Sequence, residues 1–309
     1  MNKRKNKKSF PYGLFFLLLI VLICVVFFYM YGDFSSIKTP SKTEEENATS
    51  VEQTENSEQN QKVLLSKDLL TPVCSNVNPG DHELRAFKYY SLCYRESYEQ
   101  AEWSAEYIEP FMLEKVATRS NDFRADEKIS TGSATLADYK SSGYDRGHLV
   151  PAADMSFDQN AMSETFYMSN MSPQAPQFNR GIWVNLETQV RDWVKTFGKL
   201  YVVSGPVLEK SAEEYNSIGQ NKVSVPEYYY KVILAPLYKD ELDKETPEDS
   251  DSVIAIAFLI PNQKCEDDFW SYAVSVDEVE KRTNIDFFSL LPNNIELMAE
   301  SSFDIEMWK

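Results

Sequence analysis

The stretch that most constrains how this chain can fold is residues 10 to 31, twenty-two positions without one charged side chain. As a helix it would be about 33 Å long, close to the ~30 Å apolar core of a bilayer. Lys3, Arg4, Lys5, Lys7 and Lys8 precede it with no acidic residue among them, a bias that keeps this end in the cytoplasm and sends the rest across. The pattern predicts a basic tail at 1–9 and a single-pass signal anchor at 10–31. A cleaved signal peptide is the rival reading. Against it, the apolar run is long for such a leader, and no small-x-small site follows Met30-Tyr31-Gly32-Asp33. A lipoprotein site at Cys24 is a third, opposed by the bulky Leu22-Ile23 before it and the continuing Val25-Val26. The expected placement is therefore membrane-anchored, with the remainder outside the cytoplasm in a periplasm or at the cell surface.

Residues 32–72 are polar, with runs such as Lys42-Thr43-Glu44-Glu45-Glu46-Asn47 and no hydrophobic periodicity, and they read as a disordered tether. The rest, 73–309, is enough for one well-buried core. A hydrophobic share of 43% with 13% aromatics belongs to a folded chain. Net charge is −17, and the first thirty residues contribute +5, which leaves −22 on the remainder. Such an acidic surface argues against plain polyanion binding, which rests on Lys and Arg. A local cationic cleft from Arg119, Arg124, Lys140, Arg146 and Arg180 could coexist with it. Cys74, Cys93 and Cys265 lie beyond the apolar run, so one disulfide and one free thiol are allowed, with the pairing left open. There is no C-x-x-C pair or Cys/His cluster, which argues against a structural zinc site.

Chemistry concentrates in Tyr144-Asp145-Arg146-Gly147-His148-Leu149-Val150-Pro151-Ala152-Ala153-Asp154-Met155. His148 is one of only two histidines, and imidazole is the side chain best able to take a proton near neutral pH. The neighbouring Arg146 supplies a planar, permanently charged fork suited to a phosphate. A second block follows: Ser169-Asn170-Met171-Ser172-Pro173-Gln174, then Phe178-Asn179-Arg180-Gly181-Ile182-Trp183-Val184-Asn185-Leu186-Glu187. The other histidine, His82, has no partner four residues away and reads as a surface residue before the first strand.

Together these blocks resemble the DNA/RNA non-specific endonucleases of the ββα-metal (His-Me finger) superfamily, in the branch of the Serratia-type nuclease and mitochondrial endonuclease G. The family pattern is DRGH, then SN-x-x-PQ, then N-x-x-x-W-x-x-LE. Here Asn170 and Asn179 are nine residues apart, and Asn179 and Glu187 eight. The likeness extends over roughly residues 84 to 292, through Ala137–Tyr144, Val202–Pro206, Val225–Ile233 and Val276–Phe288. It implies a Mg²⁺-dependent enzyme (Mn²⁺ as the alternative) acting on DNA and RNA. It also implies His148 as general base, Asn179 as the metal ligand, Glu187 reaching the metal through water, and Asn170 placing metal waters and site backbone. Arg146 and Arg119 are the implied phosphate clamps. Four residues separate Arg119 from Arg124 of Phe123-Arg124-Ala125-Asp126, slightly more than in the family pattern, so Arg124 competes for that role. Asp145 shapes the turn and orients its neighbours.

Stretches rich in Val, Ile, Tyr and Phe predict strands over Ala86–Tyr94, Ala101–Ile108, Lys199–Ser204, Tyr228–Ala235 and Val253–Ile260. Apolar positions at a 3.6 period predict a helix over Gly181–Phe197, ended by Gly198, and a second over Val276–Arg282. Strands mixed with few helices mean an α+β fold with a sheet core and helices packed on it. The resemblance makes that sheet mixed and mainly antiparallel. A straight helix from Asn179 would put Glu187 about 12 Å along the axis and ~80° around it. Two other readings stand beside the nuclease: a catalytically silent nucleic-acid-binding or surface module on the same fold, and a small-nucleotide phosphodiesterase. Oligomeric state is open, a homodimer included.

Overall fold

The computed structural model describes residues 63–64, 71–74, 79–238, 249–250 and 252–309. The expected anchor at 10–31 and most of the expected tether lie outside these residues. Val63–Leu64, inside that tract, is a short strand paired with Asp249–Ser250.

The strands, in chain order, are β1 (Val63–Leu64), β2 (His82–Ala86), β3 (Tyr90–Arg95), β4 (Gln100–Ile108), β5 (Asp145–His148), β6 (Met171–Gln174), β7 (Leu200–Pro206), β8 (Ser217–Ile218), β9 (Val223–Ser224), β10 (Tyr228–Leu237), β11 (Asp249–Ser250), β12 (Ser252–Pro261) and β13 (Ala273–Val274). Five helices accompany them among the described residues: α1 (Leu136–Tyr139), α2 (Gln159–Glu164), α3 (Val184–Phe197), α4 (Val276–Thr283) and α5 (Asn293–Glu300). The main sheet has seven strands in the order β13-β12-β10-β7-β4-β3-β2, and every neighbouring pair runs antiparallel. The architecture is α+β, as the sequence pattern predicts.

Successive residues of a strand point to opposite faces, and here both faces are buried. Leu200 and Val202 of β7, with Tyr229 and Ile233 of β10, join one core with Leu186, Val190, Trp193, Val194 and Phe197 of α3. Tyr201 and Val203, with Tyr230, Val232 and Leu234, join a second core with Val276 and Val279 of α4 and Ala299 of α5. α3 therefore covers one face of the sheet, and α4 with α5 the other. Because the central strands are apolar on both sides, they read as unbroken hydrophobic runs, which is why their ends were legible to within a few residues.

Several expectations are corrected. The predicted strand Ala86–Tyr94 is a hairpin: β2 turns through Phe87–Tyr89 into β3, with Phe87 N–H donating to Tyr90 C=O at 2.9 Å. His82 is the first residue of β2, not a surface residue; its side chain is buried and lies 3.2 Å from the Glu102 carboxylate. Cys74 and Cys93 form the disulfide, with Cα atoms 5.9 Å apart, and Cys265 is free. Among the described residues no helix is long and apolar enough to cross a membrane. The longest, α3, has 14 residues, about 21 Å against the ~30 Å required, and it is amphipathic.

Candidate active site

The site is built on the β5–β6 hairpin and the turn that leads into α3. β5 pairs with β6 so that His148 lies opposite Met171, Gly147 opposite Ser172 and Arg146 opposite Pro173. Gly147 has no room for a side chain: a Cβ there would sit 2.1 Å from Gln174 Cδ. β6 is in turn fixed to the main sheet. Ser172 Oγ bonds to Gln100 Oε1 and Tyr229 Oη, and Asn262 Nδ2 donates to Pro173 C=O at 3.0 Å. The strand that ends in His148 thus has a rigid backing.

His148 packs edge-on against a pair of touching phenyl rings, Phe166 at 4.9 Å and Phe123 at 5.8 Å between centroids. Each ring carries a guanidinium: Arg119 Cζ lies 5.0 Å over Phe166, and Arg146 Cζ 4.1 Å over Phe123. Burial, reinforced by the charges of Arg119 and Arg146, pushes the imidazole pKa from 6.5 down to about 3. The ring is therefore neutral throughout the physiological range. Its Nε2 is sealed from solvent with no hydrogen-bond partner. Arg119 and Arg146 are exposed, and neither is in an ion pair among the described residues. Arg119 bonds only to Asn121 Oδ1, at 3.2 Å. Two uncommitted guanidiniums beside a neutral imidazole make a place for an anion.

The competing cations are spoken for. Arg124 donates to the Asp122 carboxylate and to Ser163 C=O, each at 3.0 Å, and stacks on Tyr167. Geometry thus favours Arg119 over Arg124 beside His148. Arg180, expected to add to a cationic cleft, forks onto Asp145 at 2.8 and 2.6 Å.

Asp145 also accepts from Asn179 Nδ2 at 2.9 Å. A carboxylate can only accept here, so this contact fixes which end of the Asn179 amide is nitrogen and turns Oδ1 away from Asp145. Burial would raise the Asp145 pKa, but the hydrogen bonds from Arg180 and Asn179 and the charges of Arg180 and Arg146 outweigh it and hold it below the usual range. An oriented amide oxygen is a hard, neutral donor that fits a cation such as Mg²⁺, which keeps most of its waters.

Asn179 does not lie on the straight helix the sequence predicts. Phe178–Trp183 form a widened turn in which Gly181 leaves helical geometry (φ −112°, ψ −108°), and regular α3 begins only at Val184. The straight-helix offset between Asn179 and Glu187 therefore does not apply. Phe178, Trp183 and Tyr229 stack beneath the turn at 5.2–5.9 Å and hold this break in place.

Asn170 is fully buried. Its Oδ1 accepts from Val150 N–H, and its Nδ2 donates to Val150 and Thr165 C=O, all at 3.0 Å. It clamps the chain just after His148. Glu187 sits beside a buried network that the motif reading passed over: Glu106, Asp154, Arg191 and Lys231. Arg191 pairs with Asp154 at 2.9 Å, and Lys231 Nζ bonds to Ser204 Oγ and lies 4.7 Å over Trp183. Burial raises the Glu187 carboxyl, and Lys231, Asp154, Arg191 and Arg119 then modify it, leaving it near 7. Asp154 and Lys231 both stand in segments quoted above for the family likeness. A buried charge inside such a segment was the available signal.

Known proteins match this chain across the same region. The family model for DNA/RNA non-specific endonucleases fits residues 71–294. Human mitochondrial endonuclease G is 34% identical over 203 residues, covering 61% of this chain and 68% of that protein. A nuclease of Nostoc sp. is 34% identical over 230 residues, 72% of this chain and 80% of its own length. Mitochondrial nuclease 1 of Schizosaccharomyces pombe is 37% identical, 59% of this chain and 58% of its own. A crystal structure of an EndoG/EndoGI complex aligns with a TM-score of 0.60 at 29% identity, over 69% of this chain and 88% of that one. Several relatives are mitochondrial by name, and the described residues hold no spanning helix. The relatives' names run against the expected placement in a periplasm or at the cell surface, and the segment expected to be the anchor, 10–31, lies outside the described residues.

Proposed function

Because the chain belongs to the DNA/RNA non-specific endonuclease family, an enzyme class of nucleases, we propose that it hydrolyses phosphodiester bonds of both DNA and RNA at the His148 cleft. The observation that carries this reading is the neutral imidazole flanked by two guanidiniums that have no carboxylate partner. His148 takes the proton of the attacking water. Arg119 and Arg146 hold the non-bridging phosphate oxygens as negative charge builds on them. Asn179, with its amide held by Asp145, is the ligand for Mg²⁺, or Mn²⁺ in its place. A divalent cation bound there would supply positive charge to the phosphoryl and leaving oxygens. Asn170 keeps the main chain after His148 in position, and Glu187 acts through water rather than as a direct ligand. The β5–β6 hairpin followed by α3 is the ββα arrangement on which this reading rests. The acidic remainder means that binding depends on these few groups rather than on bulk charge.

Incubating the full-length protein with supercoiled plasmid and with single-stranded RNA, in Mg²⁺ and in EDTA, tests the proposal. Cleavage of both substrates in Mg²⁺ and of neither in EDTA is the expected result. A folded protein that turns over only dinucleotides, or nothing, overturns it.

A further inference from the structure

On the sheet face away from His148, α4 and α5 bring together Asp277, Glu280 and Glu300, with carboxylate oxygens all within 4.8 Å of one another. Glu300 is only 6% exposed, and its Oε1 is sealed from solvent without a hydrogen-bond partner. A buried carboxylate oxygen with nothing to accept from is a costly arrangement unless something outside the chain completes it. Glu280 has one partner, Phe287 N–H at 2.8 Å. Among the described residues, none of Asp277, Glu280, Asp286, Glu296 and Glu300 is in an ion pair. The nearby cations are engaged elsewhere, Lys281 with Glu278 at 3.7 Å and Arg282 with Glu209.

The local field is uniformly negative. Burial first, then the charges of Glu280, Glu296, Asp277 and Asp286, push Glu300 up to about 9. Burial also raises Glu280, against the Phe287 N–H bond and with the charges of Asp286, Asp277 and Glu296, to about 7.

We propose that Asp277, Glu280 and Glu300 form a binding site for a hard divalent cation of the Ca²⁺ type, which ties α4 to α5. Ca²⁺ takes carboxylate oxygens at about 2.3–2.6 Å, so oxygens no more than 4.8 Å apart fit on one coordination sphere. Asp277 and Glu280 lie three residues apart on one face of α4, and Glu300 reaches them from the last residue of α5. Exposed Asp277 gives the ion a way in, and buried Glu300 gives it a ligand already stripped of water. The site is separate from Asn179: α3 lies over one face of the sheet, and this cluster lies under the helices of the other.

The competing occupant is a proton shared between Glu280 and Glu300, and the test separates the two. Thermal unfolding of the full-length protein is followed at pH 7.5, first stripped with EDTA and then titrated with Ca²⁺ alone. A cation that binds only the folded state at a hundred times its Kd should raise the midpoint by about 5 °C or more for a domain of this size. The rise should persist in Asn179→Ala and vanish in Glu300→Gln and Glu280→Gln. In Ca²⁺-free buffer Glu300→Gln should melt no lower than the wild type, because it removes an uncompensated buried acid. If that variant does not fold, Asp277→Asn, altered at an exposed position, must show the loss instead. No rise by about 10 mM Ca²⁺, ten times the weakest Kd usual for extracellular Ca²⁺ modules, overturns the proposal. So does an equal rise in the Glu300→Gln or Asp277→Asn protein, or stability that follows pH alone.

Discussion

Beneath the His148 cleft, Glu106, Asp154 and Glu187 share their surroundings with Lys231 and Arg191, whereas on the opposite face of the sheet Asp277, Glu280 and Glu300 make no ion pair among the described residues. Both regions hold a buried carboxylate on a face of the same sheet. They differ in where the counter-charge comes from. On the cleft side the chain supplies it, one cation from β10 and one from α3, so the charge balance is fixed when the protein folds. On the far side it must come from solution, as a proton or a metal ion. The difference teaches that charge near the cleft is tied to both chemistry and stability. Charge under α4 and α5 is tied to stability alone.

Substituting His148 with Ala gives the largest effect on the cleft side: kcat for plasmid cleavage should drop by about 10²–10⁴-fold, with the Ca²⁺-dependent rise in melting temperature unchanged. A Glu300→Gln protein that loses turnover to the same degree would break the separation between the two faces. Next comes Lys231→Met, which strips the central counter-charge from Glu106, Asp154 and Glu187. Removing one partner from a buried charge network costs about 3–5 kcal/mol, to be read from urea unfolding. A variant as stable as the wild type would mean that these acids are neutral without Lys231.

A smaller effect sharpens the electrostatics of the cleft. With His148 held near 3, the acid limb of the kcat/KM profile should fall below the ordinary imidazole value of about 6.5. Burial is the largest cause of that shift, and Arg119 then Arg146 add to it. Removing either cation favours the imidazolium, so Arg119→Ala and Arg146→Ala should each move the limb upward. A limb that stays in place would show that neither guanidinium faces the ring.

A last effect lies on the far side. Glu300 titrates near 9 when folded but near 4.3 when unfolded, so the native state binds more protons between those values. Stability in Ca²⁺-free buffer should therefore decline as pH rises through that window. Glu300→Gln should flatten the decline, which chemical denaturation at several pH values would show.

Much of this was legible in the sequence, and the limits have physical causes. The central strands announce themselves because both their faces are apolar. His148, Arg146 and Asn179 stand in a motif whose spacing follows the β5–β6 hairpin and the turn into α3. The break at Gly181 was not legible: Phe178–Trp183 carries the apolar spacing of a continuous helix, and only stacking on Tyr229 reveals the widened turn. The partners of Asn170 were not legible either, because sequence shows neighbours and not direction: its hydrogen bonds run to Val150 and Thr165. Lys231 and Glu106 are far apart in the chain, and strand register alone brings them under Glu187. α5 was missed because Asn293–Glu300 is short and exposes Leu297 and Met298, which blurs the amphipathic pattern.

In the proposed mechanism Asn179 holds the metal while His148 moves the proton. Initial rates of plasmid cleavage across a Mg²⁺ titration, for wild type, Asn179→Ala and His148→Ala, test it most directly. The account predicts that Asn179→Ala needs far more Mg²⁺ to reach its maximal rate, and that His148→Ala keeps the wild-type Mg²⁺ midpoint at a greatly reduced maximum. An unchanged Mg²⁺ midpoint in Asn179→Ala, or a wild-type maximal rate in His148→Ala, would contradict it.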